Sequence, residues 1–133
     1  MDKTYLITPL LTWFMVGSIK FLINCFSEKR FAFDLIGYGG MPSNHSAIVC
    51  SMASIILFKE GVGDPAFGIA ISFAFIVMLD AYNLRGEIER HAKAINKLKN
   101  KKDLRERIGH SLKEIFCGAI VGILSAWLIY ECF

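Results

Sequence analysis

Residues 115–128, Ile-Phe-Cys-Gly-Ala-Ile-Val-Gly-Ile-Leu-Ser-Ala-Trp-Leu, hold no charged side chain. They form the core of an apolar run from about Ser111 to Tyr130. About 20 such residues in a helix cross about 30 Å of hydrocarbon. Gly118 and Gly122 stand in Gly-x-x-x-Gly spacing, a pattern that lets membrane helices approach closely. This run sets the fold class, because a segment of this kind belongs in a bundle of membrane helices.

Working back toward the N-terminus, three more apolar runs appear. The first extends from about Tyr5 to Phe26, with Pro9 and Lys20 inside it. It lacks a strongly basic start and a small-residue cleavage pattern, so it reads as a retained helix rather than a signal peptide. The second, from about Ser43 to Phe58, is short and rich in small residues such as Ser46, Ala47, Ser51 and Ala53. The third starts at Asp64-Pro65, a fitting N-cap and first helical position, and ends near Leu84, with Asp80 near its far end. Between the first two runs the glycine cluster Gly37-Tyr38-Gly39-Gly40 interrupts any helix.

From Arg85 to Arg107 the composition turns strongly basic. Leu84, Ile88, Ala92, Ile95 and Leu98 recur at helical spacing, so its first half predicts an amphipathic helix. A solvated helical loop and a helix lying on an anionic membrane face both fit; the second is preferred because the segment joins two spans. The expectation is therefore an all-α integral membrane helical bundle. It has about four transmembrane spans and a basic amphipathic interfacial helix, in one domain over residues 1–133. The chain is 54% hydrophobic, only a little above the soluble average of about 45–50%; the clustering of apolar residues carries the assignment. Cys25, Cys50, Cys117 and Cys132 lie in or at the ends of apolar runs without Cys-x-x-Cys spacing, which fits packing and argues against a metal or redox motif.

Four spans place alternate loops on alternate sides. On one face fall Lys20 and Arg30, then Ser43, Asn44 and His45, then Asp80, Asn83 and Arg85, and finally His110 and Glu114. Ionisable residues in membrane spans are functional candidates by default, and these converge at one depth. The same face holds nearly all the excess basic charge, so the positive-inside rule predicts it to be cytoplasmic.

The residue types suggest anion chemistry. A helix starting near Ser43 directs backbone N–H groups at an anion, and His45 can give a proton to a leaving oxygen. Helix capping by Ser43 or Asn44 explains the same residues without chemistry. Ser111-x-x-Glu114 fits a capping box, while His110 and Glu114, four apart, can share a helix face. In that pairing the carboxylate orients the imidazole and leaves its other nitrogen free to attack phosphorus. Arg85 and Lys20 supply positive charge for phosphate oxygens; snorkelling at a helix end explains Arg85 equally well.

Residues 39–47, Gly-Gly-Met-Pro-Ser-Asn-His-Ser-Ala, resemble the Gly-Gly-Met-Pro-Ser-Ser-His-Ser-Ala signature of the divergent branch of the type-2 phosphatidic acid phosphatase superfamily. That superfamily also holds the vanadium-dependent haloperoxidases. Asp80-Ala81-Tyr82-Asn83-Leu84-Arg85 is similar to the branch's Asp-Ala-x-x-Val-Arg element, and Ala94-Ile95-Asn96 to its Val-Leu-Asn. Gly109-His110 through Glu114, with Gly118 and Gly122, resembles its final element. The resemblance implies a metal-independent lipid-phosphate phosphatase without cofactor. His45 would be the leaving-group acid, a later histidine the nucleophile, and Arg85 a phosphate ligand. Lys20 and Arg30 would match the first basic motif, Ser43 and Asn44 would contact phosphate, and Asp80, Asn83, Gly39 and Gly40 would support the site.

Three departures stand out. Lys20 and Arg30 are ten apart with no following proline, where the family has Lys-x6-Arg-Pro; Asn44 replaces glycine or serine; and the last motif is split. His91 has the family's spacing from Arg85 but Ile95 four residues on, whereas His110 has Glu114. His110 is the preferred nucleophile and His91 the alternative. The expected partners are the membrane and a lipid phosphate, with no nucleic acid, and the small size is compatible with a homo-oligomer. Phosphatidylglycerophosphate, phosphatidate and a polyprenyl diphosphate are candidate substrates. The rival functions are a non-catalytic lipid-binding or scaffold protein that keeps the phosphate-binding face, and a small transport subunit.

Overall fold

The structure, a computed structural model, describes residues 3–31, 33 and 40–133. These form four helices: α1 (Thr4–Glu28), α2 (Asn44–Glu60), α3 (Pro65–Lys99) and α4 (Leu112–Cys132). The expected helix starts carry their caps. Ser43 Oγ accepts from Ser46 N before α2, and Asp64 Oδ1 accepts from Ala66 N ahead of Pro65. Ser111 and Glu114 close a reciprocal capping box at the start of α4.

Three helices, α1, α3 and α4, are long and apolar enough to cross a membrane. The sequence predicts about four such spans; α2, at 17 residues, is shorter. Its position explains this. It touches all three other helices and buries Ser46, Ala47, Ser51, Ala53 and Ser54 along with Val49, Ile55 and Ile56. An interior helix needs small residues for close approach more than it needs a lipid-facing surface. The other helices turn large apolar side chains outward, among them Leu6, Phe14, Ile69, Phe75, Phe116 and Leu124. On α1 the buried residues are Thr4, Thr8, Thr12, Val16 and Lys20, a four-residue stripe that leaves the rest of the helix to lipid.

The tightest contact joins α4 to α2. A Cβ on Gly118 would stand 2.4 Å from the Ser43 carbonyl oxygen, and one on Gly122 only 2.3 Å from that of Ala47. Ser43 N also donates to the Glu114 carbonyl at 3.0 Å, fixing the register of the two helix starts. The far end of the bundle is held by Ile55, Ile56, Ala126 and Ile129.

The basic segment is not a separate interfacial helix: α3 runs through it unbroken for 35 residues, about 52 Å at 1.5 Å per residue. The hydrocarbon core is about 30 Å thick, so the second half of α3 projects past it. Nothing after Leu84 breaks the helix except the tolerable Gly86. The pairs Glu87–Arg90 and Glu89–Lys93, each at 2.5 Å, support the exposed turns. Asn100, in the left-handed conformation, ends it.

Residues 101–111 return along α3 as a strap with two anchors. The buried Asn96 amide bonds both backbone groups of Leu104, at 2.7 and 2.9 Å, and the Glu106 carboxylate at 2.8 Å. Glu89 Oε2 accepts from Ile108 N and Gly109 N. Gly109 then passes Gly86 so closely that a Cβ would stand 3.0 Å from the Gly86 Cα, and His110 N donates to the Ala81 carbonyl at 3.1 Å.

Two substitutions test this packing. Gly122→Ala forces α4 from α2 and is expected to cost about 1–3 kcal/mol, read as a lower melting temperature in detergent. Gly68→Ala, where an added Cβ meets nothing within 4 Å, leaves the melt unchanged or raises it; equal melts for both variants would contradict the close α2–α4 contact. Asn96→Ala removes both Leu104 bonds, so amide hydrogen exchange across residues 101–109 should accelerate at least about tenfold, at roughly 1 kcal/mol per lost bond.

Candidate active site at the α2 and α4 helix starts

The glycine contact brings the beginnings of α2 and α4 together, and with them two histidines. The His45 and His110 ring centroids are 6.0 Å apart, the rings tilted by 60°. His45 sits in the first turn of α2 and His110 two residues before α4. His110 is 7% exposed, held by its backbone bond to Ala81 and by Glu114 Oε2, 3.3 Å from its Nδ1. With Nδ1–H facing a carboxylate, Nε2 keeps its lone pair. Burial pushes the His110 imidazole below the usual histidine range; the Lys20 and Arg85 charges act the same way and Glu114 opposes them.

Glu114 does both jobs weighed from the sequence. The same oxygen, Oε2, accepts from Ser111 N at 2.9 Å and faces His110 Nδ1 at 3.3 Å. The capping box thus fixes the carboxylate that orients the histidine.

Positive charge surrounds the pair. Arg85 lies on α3 and bonds Asp80 through Nε at 3.3 Å, which leaves the two terminal guanidinium nitrogens to other partners. Lys20, at the end of the buried α1 stripe, is 7% exposed. Its Cε and the Arg107 guanidinium meet over Gly40: a Cβ there would be 3.7 Å from one and 3.1 Å from the other. Gly40 has φ 138°, a conformation that favours glycine. Neither Lys20 nor Arg107 makes an ion pair among the described residues. Lys20 is buried and Arg107 beside it is exposed; a buried cation with a second one close by lowers its energy by binding an anion.

The α2 start completes the arrangement. Ser43 is buried and its hydroxyl contacts the Ser46 hydroxyl at 3.1 Å. Asn44 Oδ1 and His45 Nδ1 are buried without a hydrogen-bond partner among the described residues, an arrangement native proteins rarely keep without a ligand or water. Asn83 and Gly86 line a cavity of about 580 Å³ between α3 and the strap, together with Arg107, His110 and Glu114.

Two expected residues, His91 and Arg30, lie elsewhere. His91 is exposed on the projecting half of α3 and lines none of this cavity. Arg30 is exposed just past the end of α1. Gly39 lies outside the described residues. Arg107 is the residue that sequence reasoning missed. It sits three before His110 in a run of basic residues, and only the strap's path singles it out. Among the described residues no group of three or more His, Cys, Asp or Glu is placed to hold a metal ion.

No solved structure matches the chain. A curated relative, the uncharacterized membrane protein YuiD of Bacillus subtilis (strain 168), is 30% identical over 127 residues, covering 80% of each chain. The model of the divergent PAP2 family matches residues 1–125. Paired histidines at two helix starts, the glycines that bring them together and this match over nearly the whole length make the chain an integral membrane protein of the divergent PAP2 family.

Proposed function

We propose that this protein is a lipid-phosphate phosphatase that works through a phosphohistidine on His110. The observation that carries the reading is the His45–His110 pair, 6.0 Å between ring centroids, with Glu114 Oε2 3.3 Å from His110 Nδ1. Glu114 holds Nδ1–H, and the Nε2 lone pair attacks phosphorus. Lys20, Arg85 and Arg107 take up charge on the non-bridging oxygens, where phosphoryl transfer gains most. His45 gives its proton to the leaving oxygen as the P–O bond breaks. The neutral His45 then takes a proton from water, whose oxygen attacks the phosphohistidine and frees inorganic phosphate. Ser43, Asn44 and the α2 N-terminus hold the phosphate in line.

The substrate in this reading is a phosphomonoester or diphosphate on a lipid, because His110 stands two residues before the membrane-length helix α4. Phosphatidylglycerophosphate, phosphatidate and a polyprenyl diphosphate are the substrates to try first. The basic strap and α3 projection support a cytoplasmic placement of this face by the positive-inside rule. The shorter Glu114 bond goes to the cap rather than to His110, and this favours, as the second reading, a protein that binds lipid phosphate without turnover.

Purified protein in detergent, given this lipid panel, should release phosphate. His110→Ala should lower the rate by at least about 10³-fold, the scale of losing a nucleophile. His45→Ala should lower it about 10²–10⁴-fold, and His91→Ala should leave it within about twofold, as for an exposed side chain away from the chemistry. Loss in His91→Ala with retention in His110→Ala would transfer the nucleophile to His91; saturable lipid-phosphate binding with no release would establish the second reading.

The pH profile supplies a separate check. The nucleophile must be neutral, so kcat/KM falls as pH drops through the His110 pKa, an acid limb expected below the ordinary histidine value of 6.5. Glu114→Gln removes a charge that raises this pKa, so the residual activity should show its acid limb at still lower pH. A limb that moves upward in Glu114→Gln would rule out His110 as the titrating group.

A further inference from the structure

A second cavity, of about 540 Å³, opens on the lipid-facing side of α1. Trp13, Phe14, Phe21 and Phe33 form its walls; of its polar residues Ser18 lies midway, beside Gly17, and Lys20, Asn24 and Asn44 gather toward one end. Gly17 lies midway, and a Cβ added there would meet nothing within 4 Å, so its missing side chain widens the groove. From Trp13 to Asn24 the groove follows about 17 Å of helix axis, close to the depth of one leaflet, half of about 30 Å of hydrocarbon. Its polar end coincides with the cationic site: Lys20 lines the groove, approaches Arg107 over Gly40, and acts electrostatically on His45 and His110.

We infer that this groove is the binding site for a hydrocarbon chain of the phosphate-bearing lipid, with Gly17 as the residue that sets what chain it accepts. Three observations select this occupant over a protein helix or a bulk lipid. The groove is walled by aromatic rings, a buried cation, Lys20, lies along it about 10 Å from Trp13, and that cation adjoins the proposed phosphate site. A lipid whose phosphate sits at Lys20 must place its chain along α1 in the same leaflet. The inference rests on the reading of the site as one for lipid phosphate, and binding can be measured without turnover.

Trp13 reports on its own groove once Trp127, exposed on α4, is replaced by Phe. In the Trp127→Phe protein, lysophosphatidate brominated on its acyl chain should quench Trp13 saturably, and monoacylglycerol with the same brominated chain should not saturate. Gly17→Phe fills the groove and should weaken lysophosphatidate binding about tenfold or more, since the ring displaces several methylenes of the chain. A melting temperature equal to that of the Trp127→Phe parent would show that this variant is folded; if it is not, Gly17→Leu takes its place. Superimposable quenching curves with and without the substitution, or equal saturation by the phosphate-free lipid, would overturn the groove assignment. Saturable, Gly17-sensitive quenching in a protein that releases no phosphate would uphold the groove and reject the phosphatase mechanism.

Discussion

Gly118 and Gly122 let α4 lie on the backbone of α2, with carbonyl oxygens of Ser43 and Ala47 where side chains would otherwise stand. Everything at the candidate site depends on this contact. It sets the separation of two helix starts, one carrying His45 and the other lying just after His110. In hydrocarbon there is little apolar driving force between helices, so close van der Waals fit has to supply the attraction. The Ser43–Glu114 backbone bond then fixes the register, so the histidines face each other and do not slide past.

That rigid pair of helices lies among several cations. Lys20 is carried into the bundle by a stripe of otherwise small or β-branched residues on α1, and Arg107 is lowered onto it by the strap. Burying the Lys20 charge costs free energy, which the rest of the fold must supply. The anchors at Glu89 and Asn96 meet part of that cost. They convert a long projecting helix and its return segment into a stiff support for Arg107 and His110. The site therefore combines two kinds of position. Helix starts embedded in the bundle hold His45 and Glu114, and a strap tied to α3 outside the hydrocarbon holds His110 and Arg107.

The split last motif acquires a physical explanation here. Arg85 and His110 are far apart in sequence because α3 continues past the membrane and returns. The two residues rejoin because His110 N bonds the Ala81 carbonyl, one helical turn before Arg85 on α3. His91 keeps the family's spacing along the chain, but on a continuous helix that spacing carries it along the projection and out to solvent.

Much was readable in the sequence by itself. Apolar runs, the caps at Ser43, Asp64 and Ser111, and the glycine pair on α4 are local features, set by hydrophobic length and by backbone groups that neighbours in sequence satisfy. The family signature, too, lies in one short stretch around His45. The tertiary structure alone decided that α2 is an interior helix, that the basic segment extends α3, that Arg107 stands close to Lys20, and that a groove runs along α1 past Lys20. These depend on contacts between residues distant in the chain. The end of a helix depends on what packs against it, and the position of a charged side chain depends on where a tethered strap sets it down; neither is encoded in the spacing of residues along the chain.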